Sequence, residues 1–320
     1  MRMNLRQIRY FLKIAELHSF TRASEVLNIA QPALSRQIRM LEEDLGEALF
    51  TRSGKGLALT ETGGALREKA TTLVNQFDKL RDEVVDQSTP RGHLTVGLPP
   101  ALGQFLSIEL IDEYCRRYAD VHLHIREGIS IDLIGNIQES KLDCAIVVLD
   151  DTPGVDVKPL LREALFLVGP PSAKLALGKL VSLREAENRP LILTNRMNNF
   201  RIAIENAFAR DGIPMRILAD SNSTSMISGL VALGTAYSIL PYCAICSALN
   251  EGRISASPIK DLYVDWAFIH PSHGELTTPG RLFRDLLFDM IQRKVESGNW
   301  TGAVLANTAP VTSPLRHAPR

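Results

Sequence analysis

Apolar residues in the first ninety positions recur at helical spacing, and beyond Pro90-Arg91-Gly92 the pattern shifts to short β-branched runs alternating with amphipathic stretches. That change of period marks a domain boundary. Leu5, Ile8, Leu12 and Ala15, with Phe11 beside them, line one face of a first helix, and Asn4 with Gln7 forms a capping box at its start. A second helix follows Ser19-Phe20-Thr21 and turns Ala23, Val26 and Leu27 inward. The third opens at Gln31-Pro32, where a missing proline N–H costs no hydrogen bond. Leu34, Ile38, Leu41 and Leu45 form its narrow apolar stripe, and Gly46 ends it. Pro32, Ser35, Arg36 and Arg39 fall on the opposite side. The run from Leu49 to Thr60 predicts two short strands around Ser53-Gly54-Lys55-Gly56, a β-hairpin with cations at its tip.

Thr60 can cap a long fourth helix whose apolar positions are Leu66, Ala70, Leu73, Phe77, Leu80 and Val84. Spacings alternating between four and three make a heptad seam, which needs a partner helix. No second long heptad segment exists in the chain, so a second copy is the economical partner and a dimer is expected. The alternative is packing against the chain's own second domain. From His93 onward, strands are predicted at 93–98, 121–127, 143–149, 164–168, 191–194, 216–220, 236–240 and 263–269, with helices between them. This alternation predicts parallel sheets covered by helices, as one large sheet or two smaller ones. Residues 298–320, rich in Thr, Ala, Asn and Pro, are expected to be a disordered tail.

The 320 residues carry 36 Lys and Arg against 36 Asp and Glu, which argues against a polybasic nucleic-acid binder. Locally the balance differs: residues 1–60 hold nine cations and six anions, a surplus of +3. An apolar fraction of 45% is enough to bury a real core, and the length suggests two or three domains. Four cysteines do not make a disulfide scaffold, and the N-terminal residues lack a signal-peptide core, so a cytoplasmic protein is expected. Ser221 to Asn250 contains no Asp, Glu, Lys or Arg, but Gly229, Gly234 and Pro241 interrupt it, so it reads as buried helix, strand and helix with no membrane partner.

A short helix, a turn, a second helix with a polar outer face and a basic hairpin make a winged helix-turn-helix. Its third helix can enter a major groove, where an arginine donates two hydrogen bonds to a guanine edge. The hairpin cations Arg52 and Lys55, with hydroxyls at the start of the second helix, can hold phosphates. The rival reading makes Arg36 and Arg39 an ordinary solvated face. Cys243-Ala244-Ile245-Cys246 has zinc-like spacing without two further ligands, so core packing is expected and no metal. His122 and His124 alternate along one strand without a third ligand. No Walker, dinucleotide or nucleophile-elbow motif appears, so neither a cofactor nor an enzyme is expected.

The segment from Phe20 to Gly46, followed by Leu49-Phe50-Thr51-Arg52 and Leu59-Thr60-Glu61-Thr62-Gly63, resembles the N-terminal signature of LysR-type transcriptional regulators, without a gap over about sixty residues. The resemblance extends in layout to about residue 297. It implies an α+β multidomain chain: a winged helix-turn-helix (1–60), a linker and dimerisation helix (61–90), and an effector module (91–297). That module is expected to resemble periplasmic binding proteins, with α/β subdomains at about 91–163 plus 269–297 and at 164–268. Carried onto this sequence, the family's base-reading positions are Gln31, Pro32, Ser35 and Arg36, with Arg39 near the backbone, Thr21 and Arg22 on phosphate, and Arg52 and Lys55 in the wing. Ala30 stands where many members have a capping Ser. The family also implies a dimer through the linker helix, often a tetramer. Its implied partners are an interrupted palindrome in double-stranded DNA, a small-molecule effector, and RNA polymerase if the protein activates.

In paired α/β subdomains, ligands sit at the carboxyl ends of the strands, where helix N-termini point N–H groups inward. Three such ends are Pro99-Pro100-Ala101, Gly128 to Ser130, and Thr194-Asn195-Arg196. Relatives often carry Ser or Thr in the first, so one hydroxyl contact is missing here. Ser130, as a helix cap facing the crevice, and Arg196, as a carboxylate partner, are the stronger candidates. Two other classes remain: an enzyme on the same fold, and a non-specific architectural DNA protein.

Overall fold

The capping box forms at the head of α1 (Leu5–Leu17): Asn4 Oδ1 accepts from Gln7 N at 3.0 Å, and Asn4 N donates to Gln7 Oε1 at 3.2 Å. These contacts come from a computed structural model that describes residues 3–53, 56–84, 90–149, 154–272 and 275–306. Ser19 caps α2 (Phe20–Val26) by accepting from Arg22 N, whereas Ala30 gives α3 (Gln31–Leu45) no side-chain cap. Tyr10, Phe11 and Ile14, Ala23, Leu34, Ile38, Leu41 and Leu49 bury one another as a small core. Two residues expected inside, Val26 and Leu45, are exposed. The two-turn α2 presents its Ala23 side to that core, with half-buried Leu27 packed against it as expected and Val26 turned out.

Glu42, on the last turns of α3, accepts from Leu49 N at 2.8 Å and Phe50 N at 3.4 Å. It thereby fixes the start of the antiparallel hairpin β1 (Phe50–Ser53) and β2 (Gly56–Leu59). Thr60 Oγ1 accepts from Gly63 N at 2.9 Å to cap α4 (Glu61–Val84), and donates to Ala48 O at 2.6 Å. A Cβ at Gly63 would lie 2.1 Å from Leu49 O, so only glycine lets the helix pass the wing. Ala70 is buried and Leu66 packs on the three-helix core, so the first part of the heptad seam is used within the chain. Leu73 and Phe77 are each 47% exposed, and the side chains of Leu80 and Val84 lie outside the described ones.

The chain divides into two units, residues 1–86 and 87–320. The second runs β3 (Gly92–Leu98), α5 (Ile108–Arg117), β4 (Val121–Glu127), α6 (Ser130–Gln138), β5 (Cys144–Val148), β6 (Val155–Gly169), β7 (Pro190–Leu193), α7 (Asn199–Arg210), β8 (Arg216–Asp220), α8 (Thr224–Ala232), β9 (Ser238–Pro241), α9 (Tyr242–Asn250), β10 (Ser255–Pro271), α10 (Thr278–Glu296) and β11 (Ala303–Leu305). In one half β4, β3 and β5 are parallel; in the other β7 and β8 are parallel, and β7 bridges through Tyr237 to the start of β9.

The expectation of purely parallel sheets is corrected by β6 and β10. These long antiparallel neighbours run through both halves: β10 pairs with β5 at Trp266–Ile269, and β6 pairs with β9 at Leu165–Val168. The return crossing on β10 lies around Tyr263–Trp266, before the expected boundary at 268. Arg162 and Asp265 bind there through two hydrogen bonds of 2.7 and 2.9 Å. The expected tail is corrected over 298–306, and its remainder, 307–320, lies outside the described residues. Trp300 is buried, and β11 lies antiparallel on β6. One indole and three strand residues are enough to order 298–306 in a segment whose composition suggests disorder.

Candidate DNA-binding face and effector crevice

Buried Leu34, Ile38 and Leu41 fix the rotation of α3 and leave Gln31, Pro32, Arg36 and Arg39 exposed, with Ser35 half-buried. Among the described residues neither Arg36 nor Arg39 has an acidic partner, so both guanidinium groups are free to donate. Thr21 and Arg22 are exposed in the first turn of α2. Arg52 lies on β1, its side chain outside the described ones, and Lys55 lies outside the described residues altogether.

In the second unit, three chain segments meet at the carboxyl end of β5. Val148 N donates to Ser130 Oγ at 3.0 Å, and Asn199 Nδ2 donates to Val148 O at 3.2 Å. The head of α7, from one half, thus touches the strand end of the other. The expectation that Ser130 caps α6 is corrected: the N-cap is Ile129, and the buried Ser130 hydroxyl accepts from β5 instead. Gly128 N donates to Leu98 O at 3.2 Å and so is not free for a ligand. Pro99 and Ala101 are buried, and Pro100 is half-buried. Thr194 Oγ1 and Asn195 Oδ1, at the end of β7, and Ser228 Oγ on α8 are buried without a hydrogen-bond partner. Such groups cost roughly 1–3 kcal/mol each when left unmet. Arg196 is exposed beside them.

Residues 5–64 match the family model for the bacterial regulatory helix-turn-helix protein of the lysR family, and residues 87–292 match that for the LysR substrate binding domain. The chain belongs to the LysR family of transcriptional regulators. The HTH-type transcriptional regulator BbuR of Bordetella bronchiseptica is 29% identical over 300 residues, 92% of each chain. The nitrogen assimilation regulatory protein nac of Klebsiella aerogenes is 28% identical, with 91% of this chain and 96% of that one covered. Full-length CbnR complexed with its target DNA has a TM-score of 0.67 at 21% identity, covering 91% of this chain and 99% of that one, which bears on the fold.

In this LysR-type regulator the residues that tie the strand ends of the effector domain together are largely ones that motif reading passes over. Arg201, 1% exposed, donates to Thr194 O at 3.1 Å, Asp220 Oδ1 at 2.7 Å and Glu205 Oε1 at 2.7 Å. It ties the ends of β7 and β8 to α7. Burial opposes its charge, but the hydrogen bonds to Asp220 and Glu205 outweigh that and hold it protonated. The only sequence signal was an arginine on the apolar face of a helix. Cys243 is buried, as its apolar context suggested, yet it is not merely packed. Its N–H donates to Glu163 Oε1 at 2.9 Å and its thiol to Glu163 Oε2 at 3.4 Å. Among the described residues, no helix is long and apolar enough to cross a membrane.

Proposed function

We propose that this LysR-type regulator reads an interrupted palindrome with Gln31, Pro32, Ser35 and Arg36, and holds phosphates with Thr21, Arg22, Arg39, Arg52 and Lys55. A small metabolite, with a carboxylate as the leading class, binds between the halves of the effector domain against Ser130, Thr194, Asn195 and Arg196. The protein works in the cytoplasm as a dimer through α4, paired further into a tetramer, and contacts RNA polymerase at promoters it activates.

The observation that carries the DNA reading is the exposed face of α3, whose two arginines are free of acids among the described residues. A solvated helix face gains nothing from keeping its cations unpaired; a groove-reading face needs its donors free. The orphaned groups at 194, 195 and 228 support the crevice as the effector site, because a polar ligand would satisfy what the chain leaves unmet. A mobility-shift titration on DNA from upstream of its own gene, against random duplex of equal length, tests the reading. Specific binding is expected to be at least about a thousandfold tighter, and equal binding would make the protein a non-specific architectural binder.

A further inference from the structure

We propose that Cys243 and Cys246 form a dithiol site that closes to a disulfide by exchange with a low-molecular-weight disulfide. Glu163 takes the Cys243 proton, and closure is felt by the strands that cross between the halves of the effector domain. The two cysteines lie three residues apart in the opening turns of α9, and the Cys246 thiol is aimed back along the helix at Cys243 O, 3.7 Å away. Cβ atoms at that spacing lie about 5–6 Å apart, whereas a disulfide holds them at about 3.5–4.5 Å. The bond therefore closes only if the first turn of α9 tightens.

Access and chemistry are divided between the two residues. Cys246 is half-buried, so a reagent reaches it, while Cys243 is buried against a carboxylate. Partial burial raises the Cys246 thiol, so the attack runs through its minor thiolate fraction once the proton has passed to solvent: that thiolate attacks one sulfur of the external disulfide, forms a mixed disulfide and expels one thiolate, which takes up a proton from solvent. Cys243 then passes its proton to Glu163 Oε2, its sulfur attacks Cys246 Sγ, and the mixed disulfide breaks; the second thiol leaves as thiolate and takes up the proton that Glu163 gives back. Two protein thiols are oxidised by two electrons, and one external disulfide is reduced to two thiols that carry away the two protons. Burial, and after it the neighbouring Glu163, push the Cys243 thiol well up, so it loses its proton only to a base in direct contact; burial raises Glu163 as well, which lets that carboxylate hold the proton it receives.

Closure also disturbs a shared hub. Glu163, fully buried on β6, accepts from Cys243 N, from Trp266 Nε1 of β10 at 2.7 Å and from Trp300 Nε1 at 2.8 Å. Tightening the turn moves the Cys243 N–H and removes its S–H from this set of four donors. The chain contains only these two tryptophans, so indole emission reports on the hub directly.

Incubating the full-length protein with oxidised glutathione, trapping with acid and mapping peptides tests the site. The expected product is a Cys243–Cys246 link with altered indole emission and altered hydrogen exchange in β6 and β10. Cys243→Ser should stop at a glutathione adduct on Cys246, and Cys246→Ser should give neither product. Glu163→Gln should form the adduct at the normal rate but resolve it about a hundredfold more slowly. If that variant does not fold, the Cys243→Ser adduct decides the order of attack alone. Adducts confined to Cys115, with 243 and 246 left as thiols, would overturn the site. A link that leaves emission and exchange unchanged would overturn its coupling to the crossing strands.

Discussion

Arg36 and Thr194 represent two kinds of unmet donor, one facing water and one facing the protein interior. An exposed guanidinium without an acid nearby is ready to form a bidentate pair with a guanine edge, and losing such a pair costs about 1–3 kcal/mol of discrimination. Arg36→Ala is therefore expected to weaken operator binding by that amount and relax base preference, measured by mobility shift on a panel of single-base variants. Unchanged affinity and preference would return α3 to the status of a solvated face. Thr194 Oγ1, buried and unpartnered, leads to the opposite expectation without ligand. Thr194→Val removes an unsatisfied polar atom at nearly constant volume, so the ligand-free melting temperature should hold or rise. The stabilisation produced by an effector from a metabolite screen should fall, because that ligand loses a partner. A lower melting temperature without ligand would mean that the hydroxyl is already satisfied. Residues 31 to 39 were legible because burial of Leu34, Ile38 and Leu41 dictates which face remains outside. Arg201 and Glu163 were not, because a buried charge is explained only by partners distant in sequence: Asp220 for the first, Trp266 and Trp300 for the second.

Among the elements, α4 carries two functions along one stripe. Leu66 and Ala70 pack into the DNA-binding domain, and Leu73 and Phe77 are exposed at the next positions of the same seam. Two large apolar side chains at heptad spacing, each still about half exposed although Arg9 reaches over the Phe77 ring, are what a second copy would cover. Leu73→Asp should dissociate the dimer while leaving the helix-turn-helix folded, read by sedimentation together with the helical circular-dichroism signal. An intact assembly would locate self-association elsewhere. The four helices of the first unit were read from their starts because each has one constant inner face, whereas α10 (Thr278–Glu296) was not placed. The strands β6 and β10 were read only in part, at 164–168 and 263–269. A strand that crosses from one half to the other changes its surroundings midway, and β6 passes from four exposed residues in a row to an almost wholly buried stretch. No single period describes it. The short β11 was missed for a different reason: three residues and one indole leave no periodicity to detect, although Trp300 supplies a buried hydrogen bond to the crossing strand.

For the whole molecule, equal numbers of acids and bases conceal an uneven distribution, since residues 1–60 carry the surplus of +3. Net charge predicts weak non-specific attraction to DNA, yet salt dependence follows the number of phosphates neutralised rather than the overall charge. Four of the proposed phosphate-holding residues are cationic: Arg22, Arg39, Arg52 and Lys55. A dimer brings eight to its operator. Each neutralised phosphate contributes about −0.9 to the slope of log affinity against log salt, so a specific complex should show a slope near about −7. Fluorescence-anisotropy titrations at several salt concentrations measure it. Arg22→Ala should flatten the slope by about two per dimer without altering base preference, whereas Arg36→Ala should alter preference more than slope. The contrast separates a residue that holds the backbone from one that reads bases. A slope close to zero in the parent protein would mean that these four cations do not meet phosphate, and a slope far steeper than about −10 would require cations from beyond the helix-turn-helix.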